Sequence, residues 1–376
     1  MERRTSPIEL LWDLVFVFAV TQVSTTMSRD LTWPTVGRSL LLLALVWWAW
    51  SAFVWAANAE EENSRLFRVV LLVALVMMFL AGVALPAAFH GEGAVFVAAY
   101  AAVRFLHLGI YVDASRRGNA SLNAIIGFAV TVTVGMVLLG IGAAVNGGVR
   151  VALWGAAAAI DYAGPAWLTR ERLRGLQRVA VSHFAERYAL FIIIVLGESV
   201  VSIGAAATDH EINASLLAAF AFGLSITVAL WWLYFDRTAA WAEQRLRDVD
   251  DPVLAAADAF SYLHLLLVAG VVILAVGEKT AVASATQSLS LPARLSLCAG
   301  AALYVFGYDA FKWRLGGQPS WLNATAIAAL AVLVLVTSDV AAWATCGLVA
   351  ATVVALCTAR TLRATRFDQA VARPTS

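Results

Sequence analysis

Apolar residues run along this chain in long blocks broken by short polar connections. Twelve blocks stand out, at 8–27, 37–56, 68–88, 94–112, 121–144, 149–168, 185–205, 213–235, 254–277, 294–311, 321–338 and 340–359. A helix rising about 1.5 Å per residue needs roughly 20 apolar residues to cross about 30 Å of hydrocarbon. The pattern therefore predicts an all-α fold, a polytopic transmembrane helix bundle of about 12 helices. The tenth block is the weakest, with Arg294 at its start and Asp309 near its end, and little more than Ser338-Asp339 separates the last two. The connections leave no room for an extramembrane catalytic domain.

Composition sharpens this reading. The chain has 376 residues, 61% hydrophobic and 14% charged, where a soluble domain is about 45–50% apolar and about 25% charged. So large an apolar surplus cannot be hidden in soluble cores. A net charge of +1 offers no basic face for nucleic acid. Cys298, Cys346 and Cys357 all lie in apolar runs without metal-ligand spacing, which excludes a disulfide framework. Arg3 and Arg4 before an apolar stretch imitate a signal peptide. Asp13 inside that stretch, and no small-residue cleavage pattern after Gln22, make it a retained first helix.

Charge also orients the chain. With twelve spans, 19 of the 26 Lys and Arg residues fall on the amino-terminal side and 5 on the other, with Arg104 and Arg187 in or at the edge of spans. The positive-inside bias then puts both termini in the cytoplasm.

The two halves echo one another. Leu122-Asn123-Ala124 matches Leu322-Asn323-Ala324, and Trp47-Trp48 matches Trp231-Trp232. Pairing the first block with the seventh sets Gln22 opposite Glu198. The expected organisation is two parallel six-helix repeats, 1–169 and 185–362, joined by a basic cytoplasmic linker at 170–184 and followed by an unstructured cytoplasmic tail at 363–376.

Ionisable groups at membrane depth cost a few kcal/mol each and so tend to mark a bundle interior or a functional path. Glu9 and Asp13 share a face of the first helix at i, i+4. Glu9 sits near the interface, where water can solvate it; Asp13 calls for an arginine from another helix or a function. In the seventh block, at about 100° per residue, His183, Arg187, Glu198 and Ser202 form one polar stripe. Glu198 lies about 20 Å inside the membrane and needs a partner or a proton. Gly197 beside it is expected to let another backbone approach.

Arg104, His107 and Tyr111 cluster on the fourth helix, Arg104 being a counter-charge for a carboxylate elsewhere. Asp258 with Tyr262, and His264 with Glu278, share faces of the ninth block. Glu278-Lys279 at its outer end reads as an interfacial pair, and Asp309 with Lys312 as an i, i+3 pair anchoring the tenth. Asp161, followed by Gly164-Pro165, sits at a broken helix end. The tryptophans fit interfacial belts. No metal or cofactor motif is present, and the histidines have no ligand spacing.

Three strings resemble the bacterial low temperature requirement A (LtrA) family: Pro7-Ile8-Glu9-Leu10-Leu11-Trp12-Asp13-Leu14-Val15-Phe16 running on to Gln22; His183-Phe184-Ala185-Glu186-Arg187-Tyr188 with Leu196-Gly197-Glu198-Ser199; and Ser261-Tyr262-Leu263-His264 with Val276-Gly277-Glu278-Lys279. Trp12 stands where the family more often has Phe. The resemblance implies an integral membrane protein of a bacterial cytoplasmic membrane, and brings no substrate or catalytic residue with it.

The residues favour a secondary transporter or permease-like carrier over an enzyme, with the lipid bilayer and an unknown small-molecule or ion substrate as partners. Its candidate path uses Glu9, Asp13, Gln22, Arg104, His107, His183, Glu186, Arg187, Glu198, Asp258, His264 and Glu278, with Glu198 carrying the proton. The alternatives are a non-transporting sensor, lipid-interacting or assembly protein whose buried charges are structural clamps, and an intramembrane enzyme acting on lipid.

Overall fold

A computed structural model describes residues 5–59, 65–117, 122–165, 180–208 and 211–371. The charged run Glu60–Glu62 and the basic segment Arg170–Arg178 lie outside the described residues. Among the described residues, every apolar block has become a helix. They are α1 (Pro7–Arg29), α2 (Trp33–Ala59), α3 (Arg65–Ala84), α4 (Gly93–Arg116), α5 (Leu122–Ala144), α6 (Gly147–Ala163), α7 (Val181–Thr208) and α8 (Ala214–Phe235), then, beyond a short polar helix α9 (Thr238–Asp248), α10 (Pro252–Ala283), α11 (Leu291–Arg314), α12 (Trp321–Val336) and α13 (Ala342–Val371). Among the described residues, ten helices are long and apolar enough to cross a membrane. The other two apolar ones, α6 and α12, have 17 and 16 residues, or about 25 Å of helix.

Local chemistry sets the ends. Pro7 takes the first turn of α1, and the Ser6 backbone N–H donates to Glu9 Oε2 at 2.8 Å, half of a capping box. Gly147, at φ +67, turns the chain from α5 into α6, a left-handed conformation that glycine takes without strain. Beside it Arg150 donates from Nε to the carbonyl of Val145 at 2.8 Å and from Nη1 to that of Ala88 at 3.2 Å, so one cation caps two helix ends. The Asp251 side chain accepts from the Leu254 N–H to start α10. In α10 the segment Ala257–Leu263 is wound as a π-helix, which no residue pattern predicted. Finally, α13 runs on to Val371, past position 363 where an unstructured tail was expected; its helical hydrogen bonding outlasts the apolar run.

The chain divides into two compact units, residues 1–194 with 242–265, and residues 195–241 with 266–376. In the first, α1 packs on α2 and α3, α4 on α3 and α5, α5 on α6, and α2 on α4 and α6. In the second, α8 packs along α13, and α12 on α11 and α13. There α10 and α11 cross with backbones nearly touching: a Cβ on Gly277 would lie 2.4 Å from the Leu297 nitrogen, and one on Gly300 2.4 Å from that of Leu274. Small residues allow such an approach, which in a bilayer must supply by packing what the hydrophobic effect supplies in water.

Candidate functional site

The first unit holds two buried charge clusters. In one, the i, i+4 carboxylates of α1 meet His183 and Arg187, also spaced i, i+4, of α7. Arg187 Nη2 donates to Asp13 Oδ1 at 2.6 Å, and His183 Nε2 lies 3.1 Å from Glu9 Oε1. The Trp50 indole N–H donates to the same Asp13 oxygen at 2.7 Å. Glu9 is buried rather than solvated, because its carboxylate is used twice, by the helix cap and by His183. Glu186, between His183 and Arg187 in sequence, faces outward and accepts from the Thr5 N–H at 3.3 Å.

Arg187 Nε and Nη1 and Asp13 Oδ2 complete no hydrogen bond. The second cluster is like the first in this and differs in bordering a cavity. Arg104 of α4 donates from Nη2 to Asp161 Oδ1 of α6 at 2.7 Å, and both side chains are almost fully buried. Arg104 thus finds its carboxylate in the residue at the end of α6. Yet Arg104 Nε and Nη1, and Asp161 Oδ2, complete no hydrogen bond. Trp48 is a further polar neighbour of Asp161, and His107 has the Ala52 backbone as its polar neighbour and stands edge-on to Tyr111 with ring centres 4.9 Å apart. Arg104, His107 and Asp161 line a cavity of about 50 Å³, the size of a few water molecules, walled by Trp48, Trp55, Tyr111 and Tyr262.

The π-wound turn of α10 forms the far wall. Winding i to i+5 re-aims carbonyls that an α-helix would use internally, and Trp47 takes one of them, donating from its indole to the Ser261 carbonyl at 2.6 Å. The Ser261 hydroxyl accepts from the Trp55 indole at 2.8 Å and lies 2.9 Å from the Tyr188 hydroxyl, which is 2.7 Å from that of Ser51. His264 stacks on Phe260 at 5.0 Å, with Nδ1 3.0 Å from the Ala259 carbonyl. It supports the turn and does not line the cavity.

The sequence brought out Tyr111 and Tyr262 but missed the tryptophan walls and the hydroxyls of Ser51, Tyr188 and Ser261. Trp12, Trp47, Trp50 and Trp154 are fully buried, not interfacial. The signal was there in Trp47-Trp48-Ala49-Trp50-Ser51, which falls in the middle of α2 rather than near an end.

The remaining candidates lie elsewhere. Gln22 is half-buried on α1, and its carbonyl accepts from Thr26. Asp258 is half-buried within the π turn. In the second unit, Glu198 accepts from Ser202 at 3.0 Å. A Cβ on Gly197 would meet open space, so the close backbone approach expected there does not occur. Glu278 is wholly buried, with Ser199 as its polar neighbour, and is no interfacial pair with Lys279. Asp309 takes the Asn323 amide at 2.7 Å and the Ser320 N–H at the start of α12, while Lys312 lies over the Trp241 and Tyr308 rings, replacing the expected i, i+3 pair. Among the described residues, no three His, Cys, Asp or Glu side chains gather closely enough to hold a metal ion.

The family model described as bacterial low temperature requirement A protein (LtrA) matches residues 4–359. A Rhizobium meliloti (strain 1021) protein described as uncharacterized protein RA0937 is 30% identical over 305 residues, which cover 80% of this chain and 75% of that protein. No solved structure matches. Both charge clusters and the π-wound turn fall inside the matched span, and the apolar helices that carry them make this a multi-pass membrane protein; the chain belongs to the bacterial low temperature requirement A family.

Proposed function

We propose that this protein is a secondary carrier whose solute site is the cavity at Arg104, His107 and Asp161. The observation that carries the reading is a buried guanidinium that gives only part of its donor fork to its carboxylate and turns toward an aromatic-walled cavity. A structural ion pair gains most when every buried donor is used. Donors left open beside a cavity suit a solute that arrives and leaves, and Arg104 exchanging Asp161 for a solute oxygen is a transition a carrier can use. The solute is small, polar or anionic. Glu198 in α7, buried with Ser202 as donor, is the coupling carboxyl, since ionisable groups at membrane depth mark proton relays.

The clamp reading fits one region specifically. The Glu9–His183 and Asp13–Arg187 pairs interlock two helices and belong to the architecture.

The test is uptake of radiolabelled small carboxylates and neutral polar solutes into proteoliposomes, with internal pH followed by a dye. Wild type should move a member of the panel with a linked pH change. Arg104→Lys keeps the charge opposite Asp161 but loses the planar fork, and should cut uptake about tenfold or more. Glu198→Gln should fold normally and lose the pH change. Uptake equal in wild type and Arg104→Lys would remove the site; a panel without any uptake would return the protein to the non-transporting reading.

A further inference from the structure

The geometry points to a binding site for an anionic phospholipid in the second unit, with the phosphate at Lys312 and Arg360 and an acyl chain along the groove between α8 and α13. This inference does not depend on the carrier reading.

The headgroup end is a cavity of about 240 Å³ lined by Lys312, Arg360, Arg237, Asp236, Trp241 and Tyr308. Its cations are held by rings and amides instead of carboxylates. Arg360 lies 4.9 Å above the Tyr308 ring and donates from Nη1 to Asn323 Oδ1 at 2.9 Å. Lys312 Nζ lies 5.3 Å from the Trp241 ring centre. Neither pairs with a carboxylate among the described residues. Asp236 stands 3.8 Å from Arg237, and Asp309 acts on Lys312 and shares Asn323 with Arg360, so three cations against two carboxylates leave the pocket one net positive charge. Aromatic faces hold a cation in place while leaving its hydrogen-bond donors usable.

The tail end is an open apolar groove of about 670 Å³ walled by Phe220, Leu224, Val228, Val354 and Leu362. Cavity and groove are continuous, because Trp232, Cys357 and Thr361 line both. A cationic pocket opening directly into an apolar channel at the end of membrane helices matches a phosphate attached to a hydrocarbon chain, and basic pockets between spans bind such headgroups. A free phosphate would fill the pocket and leave the groove unused. The Lys- and Arg-rich ends of α11 and α13 are also those the basic-residue asymmetry puts at the cytoplasmic leaflet, where anionic lipids concentrate.

The test is thermal unfolding of the full chain in neutral detergent doped with phosphatidylglycerol, with phosphatidylcholine of the same chains, or with glycerol 3-phosphate. Only phosphatidylglycerol should raise the midpoint. Arg360→Gln should weaken that response about fivefold in lipid concentration, the worth of one basic group near a membrane surface, and Lys312→Gln with Arg360→Gln should abolish it. Val354→Trp, which fills the groove and leaves the charges alone, should weaken it as well. Equal stabilisation by phosphatidylcholine, or a response unchanged in the double variant, would overturn the site. Stabilisation by glycerol 3-phosphate matching the lipid would show a soluble phosphate site instead, and so would an unchanged response in Val354→Trp. The wild-type comparison among the three additives decides the matter even where a variant fails to fold.

Discussion

Between α1 and α7, two carboxylates spaced i, i+4 meet a histidine and an arginine spaced i, i+4, and Trp50 supplies a further donor to Asp13. Between α4 and α6, one arginine meets one aspartate, with a histidine against the Ala52 backbone beside them and a cavity in front. The residue types are the same and burial is nearly equal. What differs is the surroundings: both arginines leave Nε and Nη1 without a hydrogen bond, and both aspartates leave Oδ2, but only the second set borders a cavity. Burying a charge costs several kcal/mol, and open donors can be used by a solute only where a space adjoins them, as it does at Arg104.

The largest effect should come from breaking the first cluster. Arg187→Ala strands Asp13 in the interior and should cost about 3–5 kcal/mol of stability, read as a fall in unfolding midpoint in detergent. Removing both charges with Asp13→Leu and Arg187→Leu should recover most of that loss. A double variant no better than the single one would mean that α1 and α7 are not clamped by the pair.

The next effect separates the clusters by kind. Arg104→Lys should change stability by only about 1 kcal/mol, since Asp161 keeps a cation, yet cut uptake about tenfold. Arg187→Lys should be as mild in stability, since Asp13 likewise keeps a cation, and should spare transport. Both variants alike in uptake would erase the distinction.

The smallest effect concerns the hydroxyl bridge near both clusters. Ser261→Ala removes the group shared by Trp55 and Tyr188 and should cost about 1 kcal/mol, while the bond from Trp47 to the Ser261 carbonyl persists. A loss several times larger would mean that the hydroxyl, more than the carbonyl, holds the π-wound turn.

Particular residues show how far the sequence could be read. Among the described residues, all twelve apolar blocks became helices because spanning length and hydropathy are local properties. The spacing of Glu9 to Asp13 and of His183 to Arg187 was visible too, and it left open an arginine partner for Asp13. It could not say which arginine, because a pairing across 174 positions depends on which helix faces pack. Asp161 illustrates the same limit: Gly164-Pro165 marked it correctly as a helix end, but nothing local linked it to Arg104. The π-wound turn was illegible because Ala257–Leu263 contains no proline or glycine to announce a change of winding. Arithmetic at 100° per residue then fails from Asp258 onward. Burial of the mid-span tryptophans was legible in their position along α2 and was obscured by the commoner habit of tryptophan at interfaces.

The central claim is that the cavity at Arg104 and Asp161 admits a solute and the interior around Asp13 does not. Cysteine accessibility tests it without knowing the solute. With Cys298, Cys346 and Cys357 replaced by serine, Ala52→Cys lines the cavity, and Ala19→Cys lies buried on α1. A small anionic thiol reagent should label Ala52→Cys in membranes at least about tenfold faster than Ala19→Cys, the factor corresponding to roughly 1.4 kcal/mol of difference in access. Equal protection of the two positions would contradict the account, making the α4–α6 pair a second clamp.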